Sequence, residues 1–136
     1  MAGLPKNYAS LLRARRGYLA TNGFDGAAEV LPVCFTWAGE AIWIAIDEES
    51  ELFDQRVTFM VDRWDEDWSK ISWLVAKGRA TILPDGPESD RALDALESKY
   101  TEYLKYPHYG PILRLDVEEW HGGDALPPEP DDWTTG

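Results

Sequence analysis

Within Asp62-Arg-Trp-Asp-Glu-Asp-Trp-Ser69, four acids and two indoles crowd into eight residues. Carboxylates that dense can raise one another's proton affinity or hold a hard cation. The stretch lacks the glycine and the spaced ligands of a calcium loop, so the expectation is a solvated loop anchored by Trp64 and Trp68. His108 and His121, the two histidines, fall in a turn and at a strand end with no cysteine partner beside them, a poor basis for a metal site. Cys34 is the sole cysteine and lies inside an apolar strand, where a thiol behaves as a small hydrophobe rather than a thiolate nucleophile. No glycine-rich dinucleotide fingerprint, P-loop, serine elbow or His-Glu-x-x-His helix occurs. No side chain is therefore assigned a catalytic role, and no metal is expected. The seven tryptophans say more, because an indole can stack on an aromatic ligand or bury in a subunit contact. Trp43 and Trp73 are expected in the core, and Trp64, Trp68 and Trp120 at element ends where a pocket or a dimer contact is possible.

The chain that must position these residues has 136 of them, which fits one domain, with residues 1–123 folded and the acidic, proline-rich stretch 124–136 a disordered tail anchored at most by Trp133. Thirteen Lys and Arg against 25 Asp and Glu leave a net charge of −12, which repels nucleic acid and anionic membrane surfaces. The apolar runs are too short to span a bilayer, the N-terminus lacks the apolar core of a secretion signal, and a single cysteine excludes an internal disulfide. A cytoplasmic location is the resulting expectation.

Period-two alternation and turn residues predict six strands, Gly17 to Thr21, Ala28 to Trp37, Ala41 to Asp47, Gln55 to Asp62, Ile71 to Leu83 and Ile112 to Trp120. Gly78 falls where a bulge or bend would let the wall of a barrel curve. Helices are predicted over Lys6 to Arg15 and Pro87 to Leu104, the second from apolar residues at helical spacing behind Glu88 and Asp90. Strands in hairpin order with two helices predict a mainly β, α+β protein built as a small antiparallel barrel with helices at its ends and mouth.

Arg16-Gly-Tyr-Leu-Ala-Thr21, Asp25-Gly26, Pro32-Val-Cys-Phe35, the acidic Asp62 to Ser69 stretch and Lys77-Gly-Arg-Ala80 follow one another in an order and spacing that resemble the pyridoxamine 5′-phosphate oxidase-like split β-barrel family, nearest its deazaflavin (F420)-dependent branch. The resemblance covers roughly Asn7 to Gly123. It implies a homodimer of six-stranded split barrels of the FMN-binding type, with FMN or F420 in a groove at the subunit interface and two-electron reduction of a small molecule. The residues that the resemblance places along that groove are Pro32, Val33, Cys34 and Phe35, then Ala45, Ile46 and Asp47, with Trp120 framing it.

Two features depart from the family pattern. Where relatives carry a basic segment and a helix after the third strand, this chain has only Glu48-Glu-Ser-Glu-Leu-Phe-Asp-Gln55, and no Lys or Arg occurs from Gly17 through Gln55. A cofactor phosphate placed there meets charge of the wrong sign. Relatives also tend to carry a tryptophan where Gly123 stands. Arg13, Arg15 and Arg16 could supply a substitute anion site, or simply balance an acidic surface. The alternative to an oxidoreductase is a cofactor-free split-barrel dimer that serves as a binding or interaction protein.

Overall fold

In the strand Gln55–Arg63 (β4) every second residue is apolar, and a chain of period two must put Val57, Phe59 and Val61 on one face. The computed structural model, which describes residues 3–23, 25–47 and 55–126, turns that face inward, and all three side chains are buried. Five more strands complete the wall: β1 (Gly17–Asn22), β2 (Ala28–Trp37), β3 (Ile42–Ala45), β5 (Ser72–Ile82) and β6 (Ile112–Asp124). They lie in the order β1-β2-β3-β6-β5-β4, each pair antiparallel, with β4 returning to β1. The protein is a six-stranded antiparallel split β-barrel with helices packed on it.

Leu19, Phe35, Ile44, Phe59, Leu74 and Leu115 fill the interior without measurable gaps to solvent. Phe35 and Phe59 meet edge to face with centroids 4.8 Å apart, the geometry that opposes a ring's positive edge to its partner's negative face. Leu11 and Leu12 close one end of the barrel from an N-terminal turn over Lys6–Arg13. That turn is a 3₁₀ helix, tighter and shorter than the α-helix predicted over Lys6 to Arg15.

A second apolar cluster lies outside the barrel, where α1 (Pro87–Lys99) lays Ala92 and Leu96 over Ala45 and Ile112. Pro87 opens the helix, and Glu88 and Asp90 in its first turn oppose the positive end of the dipole. The predicted single helix to Leu104 breaks at Tyr100, and the chain resumes as a 3₁₀ turn over Thr101–Leu104. Tyr100 is buried in this outer cluster, where its hydroxyl accepts from Phe35 N–H at 3.1 Å and donates to the Arg15 carbonyl at 2.8 Å.

Gly78 sits at the predicted irregularity. Lys77 faces Glu119 and Gly78 faces Val117, so Glu118 is the extra residue and the bulge is carried by β6. A Cβ on Gly78 would lie 1.9 Å from the Asp116 carbonyl oxygen. β6 also runs past the predicted end at Trp120 to Asp124, because β5 offers paired positions down to Ser72 and the Tyr8 and Trp73 rings cover Gly122 and Gly123 in place of side chains. Asp124 is therefore a barrel residue, tied to the Tyr8 hydroxyl at 2.7 Å, and Ala125 N–H donates to the Ile71 carbonyl. The acidic segment 48–54 and the rest of the tail, 127–136 with Trp133, lie outside the described residues.

Candidate functional site

The residues that the family resemblance places along a cofactor groove separate into three environments. Phe35, Ile46 and Trp120 point into the barrel and are buried, Trp120 edge-on to Trp37 with centroids 5.5 Å apart. Cys34 and Ala45 are direct cross-strand partners beneath α1. Val33 is half-buried against the barrel core, and only Pro32 and Asp47 are exposed. Strand alternation explains the division. Phe35 must face inward with Leu19 and Phe59, so its neighbour Cys34 faces outward, and α1 covers that position. The accessible part of β2 is its first half, from Ala28 to Pro32.

The helix end beside Cys34 gathers polar chemistry. Lys99 Nζ lies 3.6 Å from the Phe35 ring centroid and donates to the Leu12 carbonyl at 3.4 Å. Burial, aided by the neighbouring Arg15 guanidinium, lowers the Lys99 amine to a pKa of about 8. Burial raises the Tyr103 hydroxyl, and its hydrogen bond with the Cys34 thiol raises it further. Arg15 pairs with Glu102 and donates to the Lys99 carbonyl, while Arg16 lies over the Tyr18 ring at 5.2 Å. Arg15 and Arg16 thus engage separate partners.

The outer face of β2, β1, β4 and β5 is open. Leu19 and Phe59 point inward, so Tyr18, Ala20, Thr58 and Met60 point outward, with Pro32 opposite Tyr18, Val30 opposite Ala20 and Val75 opposite Met60. Val30 and Leu31 are 63% and 42% exposed, high values for branched apolar side chains side by side on one strand. The ladder joining β1 to β4 runs only from the Tyr18–Met60 pair to the Ala20–Thr58 pair. Beyond Ala20 the two strands diverge, bridged by Asn22 N–H donating to the Gln55 side-chain oxygen at 3.3 Å. A cleft of about 290 Å³ opens at this divergence, lined by Thr21, Asn22, Arg56, Thr58 and Lys77.

Among the other residues singled out by type, Trp64 and Trp68 are largely exposed on the β4–β5 loop. Asp67 caps that loop by accepting from the Ser69 N–H and hydroxyl, bonds that hold its carboxyl below the ordinary range. No group of three or more His, Cys, Asp or Glu side chains placed to hold a metal ion occurs among the described residues, and none of their helices is long and apolar enough to cross a membrane. Trp43 and Trp73, expected in the core, are half-buried on the outside of the wall. The Trp43 indole N–H donates to Glu88, which also pairs with Arg114. Burial pushes the Glu88 carboxyl up, but these bonds from Arg114 and Trp43 outweigh it and leave the group below its usual value. The Trp73 indole lies within 2.6 Å of where a Cβ on Gly123 would stand, so the space beside that position is filled from the adjacent strand.

No sequence motif marks Lys99 or the Arg56–Lys77 pair as site residues. The last was detectable in principle, since Arg56, Lys77 and Arg79 all occupy outward positions, but only the β4–β5 register shows that they adjoin.

Among solved structures the fold is shared with a conserved hypothetical protein, Rv2991, from Mycobacterium tuberculosis, with TM-score 0.72 and 18% identity over 100% of this chain and 96% of that one. A FAD-binding protein from Mesorhizobium loti superposes with TM-score 0.67 at 20% identity, covering 89% of this chain and 94% of that one. HutZ, the heme storage protein from Vibrio cholerae, does so with TM-score 0.69 at 16% identity, covering 90% and 95%. No protein-family model matches the sequence, and no curated protein is significantly similar to it. At these identities the likeness defines the class of fold, a split barrel of the kind found in flavin- and heme-binding proteins.

Proposed function

We propose that two copies of this barrel associate through the open face of β1, β2 and β4 and hold a flavin-class cofactor, FMN or the deazaflavin F420, in a groove along that face, as an oxidoreductase acting on a small molecule. The observation that carries this is the apolar row of Tyr18, Val30, Pro32 and Met60 on an outer face where neither α1 nor the N-terminal turn packs, with Val30 and Pro32 exposed. The FAD-binding neighbour with the same fold supports the ligand class. When bound, such a cofactor supplies hydride transfer. The chain's own part is to present a flat apolar surface for the ring, backbone groups of β2 from Ala28 to Pro32 for its polar edge, and a second subunit that excludes water.

A cofactor-free dimer acting as a binding protein has its own support. Phe35, Ala45, Ile46 and Trp120 are buried and cannot touch a ligand without repacking, and β2 and β3 contribute no Lys or Arg for a phosphate. Sedimentation equilibrium combined with titration of FMN and, separately, F420, followed by tryptophan quenching, separates the two. A dimer that binds either cofactor with micromolar or tighter affinity supports the oxidoreductase. A dimer that binds neither leaves the binding protein, and a monomer at tens of micromolar removes the shared groove.

A further inference from the structure

We infer that the cleft at the split between β1 and β4 is an anion site that takes a phosphate monoester or diphosphate, with Arg56 and Lys77 as its cations and Thr58 and Asn22 as neutral donors. The identity of the anion as a cofactor's phosphate rests on the flavin-class function proposed above; the site itself does not.

The cleft follows from the topology. Two strands that stop pairing after Ala20 leave the facing edges of Thr21–Asn22 and Gln55–Val57 without ladder partners across the gap, so main-chain polar groups border an open space that side chains also reach. Charge is concentrated there against the trend of the molecule. In a chain of net charge −12, Arg56, Lys77 and Arg79 fall on two neighbouring outward positions of the β4–β5 ladder, Arg56 opposite Arg79 and Thr58 opposite Lys77.

Two acids of β6 lie across from the cations of the cleft. Glu118, the extra residue of the β6 bulge, pairs with Arg56 across β5, but both side chains are about half exposed, and an exposed pair of this kind is readily exchanged for a multivalent anion. Glu119 lies across from Lys77 on β6 and is engaged with His121. Among the described residues no carboxylate lies within ion-pair distance of Lys77 in the salt-bridge geometry of this barrel. A guanidinium fork, an ammonium, a hydroxyl and an amide around one cleft suit an oxygen-rich anion, and two cations side by side favour the multiple charge of a phosphate. The cleft has room for a phosphoryl or diphosphoryl group, and the apolar row of Val30 and Pro32 begins beside it on the same face.

The test is a titration of ¹⁵N-labelled full-length protein with sodium pyrophosphate at constant ionic strength, with chloride as the control. Saturable shifts confined to Thr21, Asn22, Arg56, Thr58 and Lys77, weakened at least tenfold in the Arg56→Gln/Lys77→Gln double variant, are the expected result. Dispersed or non-saturating shifts, shifts centred on Arg13, Arg15 and Arg16, or an unchanged affinity in the double variant would overturn the site. Because both substitutions lie at exposed positions, the unchanged spectrum elsewhere verifies that the variant is folded. Parallel titrations with FMN and riboflavin distinguish this inference from the broader one. Pyrophosphate binding without FMN binding retains the anion site and discards the flavin, whereas FMN binding that neither pyrophosphate nor the double variant weakens retains the flavin and discards the site.

Discussion

Gly78→Ala tests whether the barrel wall depends on a backbone-to-backbone approach that no side chain can share. The new Cβ would stand 1.9 Å from the Asp116 carbonyl oxygen, 2.9 Å from its carbon and 3.0 Å from the Val117 Cα, all main-chain atoms that cannot rotate aside. Carbon and oxygen tolerate roughly 3.3 Å, so β5 and β6 must part by more than an ångström along the longest ladder of the barrel. Overpacking in a core costs about 1–3 kcal/mol, and with backbone on both sides the upper end applies, about 3 kcal/mol. For a domain of this size that is roughly a fifth to a half of the total stability and a Tm loss on the order of 10 °C. Urea unfolding followed by tryptophan fluorescence should show a lower midpoint at unchanged slope. Gly26→Ala is the control, because Gly26 has φ of +79° but nothing within 4 Å of its Cβ position, so only the left-handed backbone opposes it, by about 1 kcal/mol. A Gly78→Ala loss no greater than the Gly26→Ala loss would refute the steric account.

Tyr100→Phe removes the hydroxyl that accepts from Phe35 N–H and donates to the Arg15 carbonyl, leaving a buried main-chain donor unpaired, and should cost about 1–3 kcal/mol in chemical denaturation. Burial holds the Lys99 amine at a pKa of about 8 in the folded protein against the ordinary 10.5 when unfolded, so below pH 8 its charge opposes folding in full, and between pH 8 and 10.5 the unfolded chain holds the extra proton. Stability should therefore rise over that window, by about 1 kcal/mol once solvent screening of a half-exposed amine is allowed for, and a Lys99→Met variant should lose the rise when the two are compared from pH 7 to 9.5. Leu96→Ala empties the fully buried contact between α1 and the barrel and should lower stability by about 2–5 kcal/mol, with hydrogen exchange accelerated first in α1.

The strands were legible because alternation and turn chemistry are local. Val57, Phe59 and Val61 cannot share a face unless the chain is extended, and Gly78 marked the bulge because a side chain there has no room in any strand pairing of that kind. The candidate site was far less legible. Burial of Phe35, Ala45, Ile46 and Trp120 depends on which strand face α1 and the N-terminal turn cover, and nothing within the strands themselves states that. The glycine pair at 122 and 123 reads locally as a strand end, yet β5 pairs with it and aromatic rings from Tyr8 and Trp73 shelter it, partners remote in sequence.

From the sequence by itself came the number of strands and their hairpin succession, the facing of β4, the second helix, the acidic composition and the lack of cations in β1 to β3, since each depends on composition or on neighbours a few residues away. The tertiary structure alone decided the divergence of β1 from β4 after Ala20, the meeting of Arg56 with Lys77 at that gap, and the descent of Lys99 onto the Phe35 ring. Those are consequences of register and closure, which bring together residues far apart in the chain and are set by the packing of the whole barrel.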